Sequence, residues 1–159
     1  MEVWDLYTKE RELTGRTHIR GEKIPPNYYH LVVHVWIVNS KGEYLISRRS
    51  ASRPTFPLLW ECVGGSVIKG ENSLCGALRE AEEEVGIKLI PENGKVVHTN
   101  VRINDILDVW LFNYDGNVDL NLATTDEVCE TKWVTKEAVK QLFKENKLVP
   151  TLEYFFEKL

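Results

Sequence analysis

The chain has 159 residues and a mass of 18.4 kDa, a length that fits one domain with a buried core and is short of two. Hydrophobic residues make up 43% and charged residues 28%, a balance that excludes a disordered or collagen-like chain. The net charge of −4 argues against a general nucleic-acid binder. No apolar run approaches the roughly 18 residues of a membrane span, so we expect no membrane partner.

The N-terminus and the cysteines both favour a cytoplasmic protein. Residues 1–5 contain neither a basic leader nor an apolar run, so we expect no secretory signal. The three cysteines, Cys62, Cys75 and Cys129, are an odd number without CxxC spacing. This pattern favours neither a disulfide framework nor a zinc knuckle.

The first part of the chain predicts an arm followed by two strands. Residues 1–29 are polar and contain glycines and a Pro-Pro pair, which indicates a short hairpin or an irregular arm. The β-branched and aromatic run at 30–38 predicts a buried strand, and 43–48 predicts a second strand that pairs with it antiparallel. Prolines in residues 50–60 predict a loop there.

The second part alternates strands and helices. Asn72 or Ser73 is placed to cap a helix that ends at Val85, before Gly86. The other predicted elements are a short strand at 61–67, strands at 95–103, 106–113 and 130–134, a helix at 136–146 and an amphipathic segment at 152–159. This order predicts a single α/β (α+β) domain over 1–159 with a mixed sheet, in which 1–29 form the arm.

Three carboxylates share one side of the first predicted helix. At about 100° per residue, Glu80, Glu83 and Glu84 fall within an arc of about 100°, beside an apolar face. Like charges three and four residues apart repel each other and weaken a helix unless a cation lies among them. Mg²⁺ suits such a set of oxygens, because it joins protein carboxylates to substrate phosphates.

Neighbouring residues add to this pattern. Arg79 is one turn before Glu83 and is placed to pair with it, or with Glu71 in the preceding loop. Gly64 and Gly65 let the backbone approach closely and leave carbonyls available as ligands. An acidic run on a helix, taken alone, is more often a solvated face. The spacing of the whole segment is what distinguishes the two interpretations.

Residues 65–87 resemble the box of the Nudix family, G-x5-E-x7-R-E-U-x-E-E-x-G-U, in which U is a bulky apolar residue. Ile87 satisfies the second U position, and Ala81 is smaller than usual at the first. All seven fixed positions match, namely Gly65, Glu71, Arg79, Glu80, Glu83, Glu84 and Gly86.

The resemblance implies the α/β/α sandwich of the family and a Mg²⁺-dependent hydrolase, with Mn²⁺ as the other candidate ion. The substrate would be a small molecule: a nucleoside diphosphate linked to another moiety, or a similar organic diphosphate. Glu80 and Glu84 would be the principal metal ligands, with Glu83 a further ligand or the base and the Gly65 carbonyl a backbone ligand. Arg79 and Glu71 would brace the loop-helix-loop, which Gly86 ends.

The family often supplies one more acidic residue from a loop beyond the box. Asp126, Glu127 and Glu130 lie in a suitable polar stretch, and Glu127 is the first choice among them, although each is equally well explained as a surface carboxylate. Arg48 and Arg49 end a predicted strand, so their side chains should point to opposite faces. We expect Arg48 to contact the substrate phosphate.

A softer resemblance links the chain to the Nudix branch that contains isopentenyl-diphosphate isomerase. It rests on the segments 4–7, 15–18, 30–36 and 45–49, together with Trp60. That enzyme has a catalytic cysteine and a histidine-rich metal site, for which His18 and His30 would be candidates. However, Gly64 stands where the cysteine is expected and Ser66 where a metal-binding histidine is expected. The complete hydrolase box therefore favours hydrolysis over isomerisation.

A third reading is a regulatory Nudix module that binds a nucleotide without turnover, which the intact acidic box disfavours. All four histidines, His18, His30, His34 and His98, read best as surface or core residues. Trp36, Trp60, Trp110 and Tyr114 are candidates to stack on a base, although core packing is the more common use of such residues. The motifs of the family's substrate subgroups leave the diphosphate unassigned, and a homodimer is compatible with the sequence.

Overall fold

The protein, described here from a computed structural model of residues 1–159, is built around one mixed sheet. The strands are β1 (Val3–Tyr7), β2 (Leu13–Ile19), β3 (His30–Val38), β4 (Tyr44–Arg49), β5 (Trp60–Glu61), β6 (Val63–Ser66), β7 (Gly94–Val101), β8 (Asp105–Asn113) and β9 (Val128–Val134). The central strands follow the spatial order β5-β4-β3-β8-β7, while β6 also pairs with β3 and β9 with β4. The helices are α1 (Ser73–Val85), α2 (Lys136–Lys144) and α3 (Phe155–Lys158).

Two hydrophobic clusters lie on opposite faces of the sheet and confirm the predicted sandwich. On one face, alternate residues of β3 such as Val33 and Val35 pack with Ala77, Ala81 and Val85 of α1. On the other face, the cluster contains residues from β3, β4 and β8 together with the C-terminal segment: Trp36, Ile46, Val109, Val139, Leu152 and Phe155. The alternation follows from the strand period of two, which sends neighbouring side chains to opposite layers.

Helix α1 has the ends that the sequence predicts. The Asn72 side chain accepts a hydrogen bond from the Cys75 amide at 2.8 Å, and Gly86 ends the helix in the left-handed conformation with φ of 70°. A side chain at Gly86 would also meet Leu122 and the Asp119 carbonyl. Glycine is therefore required there by both its backbone angle and its surroundings.

The N-terminal arm is a hairpin of β1 and β2 that is held against the body of the sheet. Tyr7 and Tyr29 exchange backbone hydrogen bonds of 2.7 and 3.0 Å. At the hairpin turn, the Arg11 guanidinium binds both carboxylate oxygens of Asp108, with Nη1 2.8 Å from Oδ1. Asp108 is buried on the central strand β8, so this ion pair fixes the arm to the centre of the sheet.

The expected antiparallel hairpin of β3 and β4 forms only at its turn. These strands pair at Val38 and Tyr44, after which β4 turns away to pair with β9 and β5. The vacated edge of β3 is taken by β6, which aligns Val32–Val35 with Ser66–Val63. The segment predicted as one strand at 61–67 is therefore two strands with different partners, and the paired glycines lie against β3.

No helix in the structure is both long and apolar enough to cross a membrane.

Candidate active site

Arg79 organises the acidic side of the candidate site. Its Nε and Nη2 lie 2.8 and 3.0 Å from the two carboxylate oxygens of Glu71, and Nη2 also donates to the Ser66 carbonyl at 2.9 Å. Its Nη1 reaches Glu80 at 3.0 Å and Glu83 at 3.1 Å. One guanidinium thus ties the loop before α1 to two carboxylates of the helix.

Glu80 lies against the glycines of β6. A Cβ added to Gly65 would be 2.5 Å from Cδ of Glu80, so only glycine leaves room for this carboxylate. Glu80 is 9% exposed, and its burial is the main reason that its pKa is raised to about 7, with Arg79 acting in the opposite direction. The lack of a side chain at Gly65 therefore allows the buried carboxylate of Glu80 to lie against the strand backbone.

Glu84 is the most deeply buried acid of the site, with 3% of its surface exposed. It accepts a hydrogen bond from the Gly64 amide, at 3.2 Å, and no basic side chain pairs with it. Burial raises its pKa well above the ordinary value, and the charges of Glu80, Glu61 and Glu127 add to the effect. The ionised form of Glu84 therefore needs a cation that the protein itself does not supply.

The opposite wall comes from the end of β4, the following loop, β5 and the start of β9. Arg49 is 8% exposed and donates to Glu61 Oε2 at 2.8 Å and to the Thr55 carbonyl at 2.9 Å. Arg53 pairs with Glu127 at 2.6 Å, and its buried Nε has no hydrogen-bond partner. Burial raises the pKa of Glu61, although Arg49 opposes this.

These walls enclose a cleft of about 290 Å³. The box supplies Gly65, Ser66, Arg79, Glu80 and Glu83, with Gly64 beside them, and the opposite wall supplies Arg49, Arg53, Thr55, Glu61 and Glu127. The N-terminal arm contributes Glu2 and Arg20 to its rim, while Val32, His34, Cys62, Val149, Thr151 and Leu152 complete it. The cleft therefore places several carboxylates opposite two arginines.

The cleft includes most of the residues that the sequence singled out. Gly65, Arg79, Glu80, Glu83 and Glu127 line it. Glu84 lies behind its wall under the Gly64 amide, and Glu71 braces Arg79. The spacing of the box and the acidic loop beyond it thus lead to one place in the fold.

Arg48 lies apart from this group. Its Nε donates to the Leu58 carbonyl at 3.0 Å, and its guanidinium is 3.7 Å from Glu130, outside the lining of the cleft. Its neighbour Arg49 points into the cleft instead. The two side chains do project to opposite faces, as the strand period requires. However, Arg49 rather than Arg48 is the one that points into the cleft.

The sequence did not single out Glu61, Arg53 or His34 as site residues. Glu61 and Arg53 reach the cleft through the pairing of β5 with β4 and the return of the 50–59 loop, which no local spacing reveals. His34 is opposite Gly64 in the pairing of β3 with β6. A weak signal was present for His34, since it interrupts an otherwise apolar strand.

The candidate aromatic side chains and the two candidate metal-binding histidines lie outside the lining of the cleft. No Trp, Tyr or Phe lines the cleft, so none of the four candidate aromatic side chains stacks on a ligand there. His18 and His30 both pack on Trp4, with ring centroids 5.7 and 3.9 Å from the indole. Burial lowers the pKa of His30 to about 4, which keeps this stacked ring neutral.

The donor set fits a hard divalent cation, although no three His, Cys, Asp or Glu side chains are gathered around one point in the structure. Arg79 holds Glu80 and Glu83, which draws their oxygens toward the guanidinium. The observation that favours a cation is Glu84, a buried carboxylate with one amide donor and no basic partner. Oxygen-only ligands of this kind suit Mg²⁺ or Mn²⁺ better than a soft metal.

Comparisons with known proteins show which family the chain belongs to. The NUDIX domain family matches residues 28–159. An uncharacterized Nudix hydrolase of Listeria monocytogenes is 38% identical over 157 residues, covering 98% of this chain and 91% of the relative. Nudix hydrolase 3 of Arabidopsis thaliana is 32% identical over 155 residues, covering 86% of this chain and 19% of that longer protein.

Solved structures show the same fold. A crystal structure of DR0079 from Deinococcus radiodurans has a TM-score of 0.73 at 22% identity and covers 93% of this chain and 92% of that one. A MutT protein of Methanosarcina mazei has a TM-score of 0.62 at 26% identity, covering 86% of this chain and 94% of that one. The named relatives are hydrolases, which does not favour the isomerase or the binding module. The chain belongs to the Nudix family and is a Nudix hydrolase, a pyrophosphohydrolase.

Proposed function

We propose that the protein hydrolyses the diphosphate bond of a nucleoside diphosphate linked to another moiety, or of a similar small organic diphosphate, with Mg²⁺ or Mn²⁺ as its ion. The observation that carries this proposal is the position of Glu84, a buried carboxylate without a cationic partner beside a cleft whose opposite wall carries Arg49 and Arg53. An excess of carboxylates on the box side, facing Arg49 and Arg53 on the other side, matches a metal-bound diphosphate.

The ion would be held by Glu80, Glu84 and Glu83, with the Gly65 carbonyl as a backbone ligand. A bound divalent ion neutralises phosphate charge and lowers the pKa of water. Arg79 and Glu71 position these ligands, since the guanidinium contacts Glu71, Glu80 and Glu83 together. Gly86 contributes by ending the helix just beyond the acidic residues.

The proton of the attacking water goes to a carboxylate at the edge of the cleft. The water oxygen forms a bond to phosphorus, the bridging P–O bond breaks, and the two products separate as phosphate esters or free phosphate. Glu83 and Glu127 are the candidates for this base, because both line the cleft and both side chains are 38% exposed. A general base must be within reach of the attacking water and the substrate, and Glu84 is less suited to this role because it is buried.

Arg49 and Arg53 replace Arg48 as the proposed phosphate contacts. Both line the cleft, and Arg53 retains an unpaired Nε–H. Their present partners, Glu61 and Glu127, would share these guanidinium groups with the substrate or turn toward the ion. The two ion pairs thus keep both kinds of group in place before a ligand binds.

The wider setting of the activity is also part of the proposal. Residues 1–159 would act as a single domain, since the arm contributes Glu2 and Arg20 to the rim of the cleft. The partner would be a small diphosphate in the cytoplasm, with neither nucleic acid nor membrane involved.

A phosphate-release screen tests the proposal. The panel consists of nucleoside triphosphates, nucleotide sugars, ADP-ribose, dinucleotides, coenzyme A and isopentenyl diphosphate, each with Mg²⁺ and with EDTA, and chromatography separates and identifies the phosphorylated products. Glu84→Gln is the test variant, and Glu82→Gln is its matched control because Glu82 lies on the same helix outside the cleft.

The expected result is metal-dependent hydrolysis by the wild type and by Glu82→Gln, with loss in Glu84→Gln. An isomerised prenyl diphosphate without phosphate release would overturn the hydrolase assignment. Tight binding without turnover by either protein would favour the regulatory module. Equal hydrolysis by the wild type and Glu84→Gln would refute the assignment of the site.

A further inference from the structure

One end of the cleft is apolar, in contrast to its two charged walls. It is bordered by apolar side chains of Val32, Cys62, Val149 and Leu152, all of which line the cleft. These residues belong to, or pack on, the hydrophobic cluster on the α2 and α3 face of the sheet. A single polar ring, that of His34, lies among them.

The orientation of His34 is fixed from behind by Tyr154. The Tyr154 hydroxyl oxygen lies 2.8 Å from His34 Nδ1 and accepts a hydrogen bond from Trp36 Nε1 at 2.9 Å. The rings of His34 and Tyr154 also stack, with centroids 5.8 Å apart. Tyr154 therefore supports the imidazole by both a hydrogen bond and packing.

This arrangement selects one tautomer of His34. An indole N–H can only donate, so Tyr154 must use its own proton on another acceptor. His34 Nδ1 lies 2.8 Å from the hydroxyl and is a stronger acceptor than the neighbouring sulfur of Cys62. Nδ1 of the neutral ring thus accepts, and the ring proton resides on Nε2.

The Nε2–H of His34 is available to a ligand. Nε2 has no hydrogen-bond partner in the protein. It is also not fully buried, so a ligand can reach it. His34 lies opposite Gly64, and a Cβ at that position would be 3.1 Å from Cδ2, the carbon next to Nε2. The absence of a side chain at residue 64 leaves this edge of the ring open to the cleft.

We propose that His34 is a substrate-recognition residue whose Nε2–H donates to an oxygen of the organic group carried by the diphosphate, while the apolar border accommodates the rest of that group. Apolar pockets commonly orient a ligand through a few fixed polar groups of this kind. The proposal rests on the proposed diphosphate hydrolysis and adds a substrate class: a compact organic group with an acceptor oxygen, held without aromatic stacking.

The test is steady-state kinetics on the compound of the screening panel that the wild type hydrolyses best. His34→Leu removes the donor, and His34→Gln restores an N–H near the position of Nε2. His98→Leu is the matched control, because the His98 ring is also near Tyr154, with centroids 6.0 Å apart, but lies outside the lining of the cleft. Tyr154→Phe is a second variant that removes the support of the ring.

We expect His34→Leu to raise KM about five- to tenfold with kcat changed by less than about twofold, since one hydrogen bond to a neutral group is lost equally in the ground and transition states. His34→Gln should recover most of this loss, Tyr154→Phe should show a smaller rise in KM, and His98→Leu should match the wild type.

Different failures separate the two proposals. If the wild type turns over a substrate and both His34→Leu and Tyr154→Phe retain its KM, the recognition role is overturned and diphosphate hydrolysis stands. If no panel compound is hydrolysed, the proposed function fails and the recognition role falls with it. An imidazole ¹⁵N spectrum that places the His34 proton on Nδ1 overturns the inference whatever the enzyme hydrolyses.

Discussion

The two walls of the cleft are built in different ways. The box wall comes from 23 consecutive residues, 65–87, in which a loop and one helix place Arg79 beside Glu71, Glu80 and Glu83. The opposite wall joins β4, a loop, β5 and β9, so Arg49 meets Glu61 and Arg53 meets Glu127 only after long-range folding. The first wall depends on local spacing and the second on strand pairing.

The walls also differ in how their charges are balanced. Each arginine of the opposite wall has a carboxylate partner within 2.8 Å. On the box wall, Arg79 pairs with Glu71, Glu80 and Glu83. Glu84 has no basic partner. Excess negative charge is thus concentrated at the helix, where a cation would bind, and the arginines remain on the side suited to phosphate.

The largest effect is expected for Glu84→Gln. Loss of a proposed metal ligand should lower kcat/KM about a thousandfold, because metal stabilisation of the phosphate charge contributes several kcal/mol. Without metal, the same variant should be at least as resistant to urea as the wild type, because a buried acid without a cationic partner has been removed. Rate assays and urea melts measure the two changes.

Glu82→Gln is the control for both measurements, since Glu82 is exposed on the same helix. A box wall that is merely structural would show the opposite pattern, with a destabilised Glu84→Gln and little change in its rate once folded.

A second test compares two glycines of the box: Gly65, which leaves room for a neighbouring side chain, and Gly70, which adopts a positive φ. Gly65→Ala forces a Cβ against the carboxylate of Glu80, so we expect kcat/KM to fall about a hundredfold as a metal ligand is displaced. Gly70→Ala is the matched change: position 70 has φ of 86° and open space around it, so it should cost only about 1 kcal/mol of stability. Comparable rates for the two variants would refute the role of the close approach.

The opposite wall is tested by a pair of arginines. Arg53→Ala should raise KM about tenfold, because a guanidinium in the cleft that is proposed to bind phosphate is lost. Arg48→Ala should change KM less than about twofold, because Arg48 lies outside the cleft and pairs with Glu130 at 3.7 Å. The reverse order of effects in a KM comparison would restore Arg48 as the phosphate contact.

The smallest effect concerns the arm that forms the rim. His30 has a pKa lowered to about 4 by burial, with the charge of Asp105 opposing the effect and those of His18 and Arg102 adding to it. The unfolded chain therefore binds more protons than the folded one between about pH 6.5 and 4, so stability from this group falls as the pH drops through that window.

His30→Phe keeps a ring against Trp4 but cannot be protonated. We expect its urea midpoint to depend less on pH, by an amount worth about 1–2 kcal/mol between pH 6.5 and 4. His98→Phe is the control. If the curves of His30→Phe and the wild type run parallel, His30 is not a source of acid sensitivity.

The sequence predicted the regions with local causes. The ends of α1 follow from Asn72 and Gly86, and the shared side of Glu80, Glu83 and Glu84 follows from the helical repeat. The two-residue period of β4 shows that Arg48 and Arg49 point to opposite faces, but it does not show which face borders the cleft. That depends on how β4 is placed in the sheet. Glu61, Arg53 and His34 reach the cleft through pairings between distant segments, so no spacing in the sequence marks them.

The most direct test of the central claim is the dependence of the hydrolysis rate on divalent metal for the wild type, Glu82→Gln and Glu84→Gln. The account predicts that rates of the first two rise together and saturate as Mg²⁺ is added to metal-free enzyme. Glu84→Gln should require far more Mg²⁺ and stay slow. Full wild-type hydrolysis in EDTA, or the same Mg²⁺ dependence in all three proteins, would contradict it.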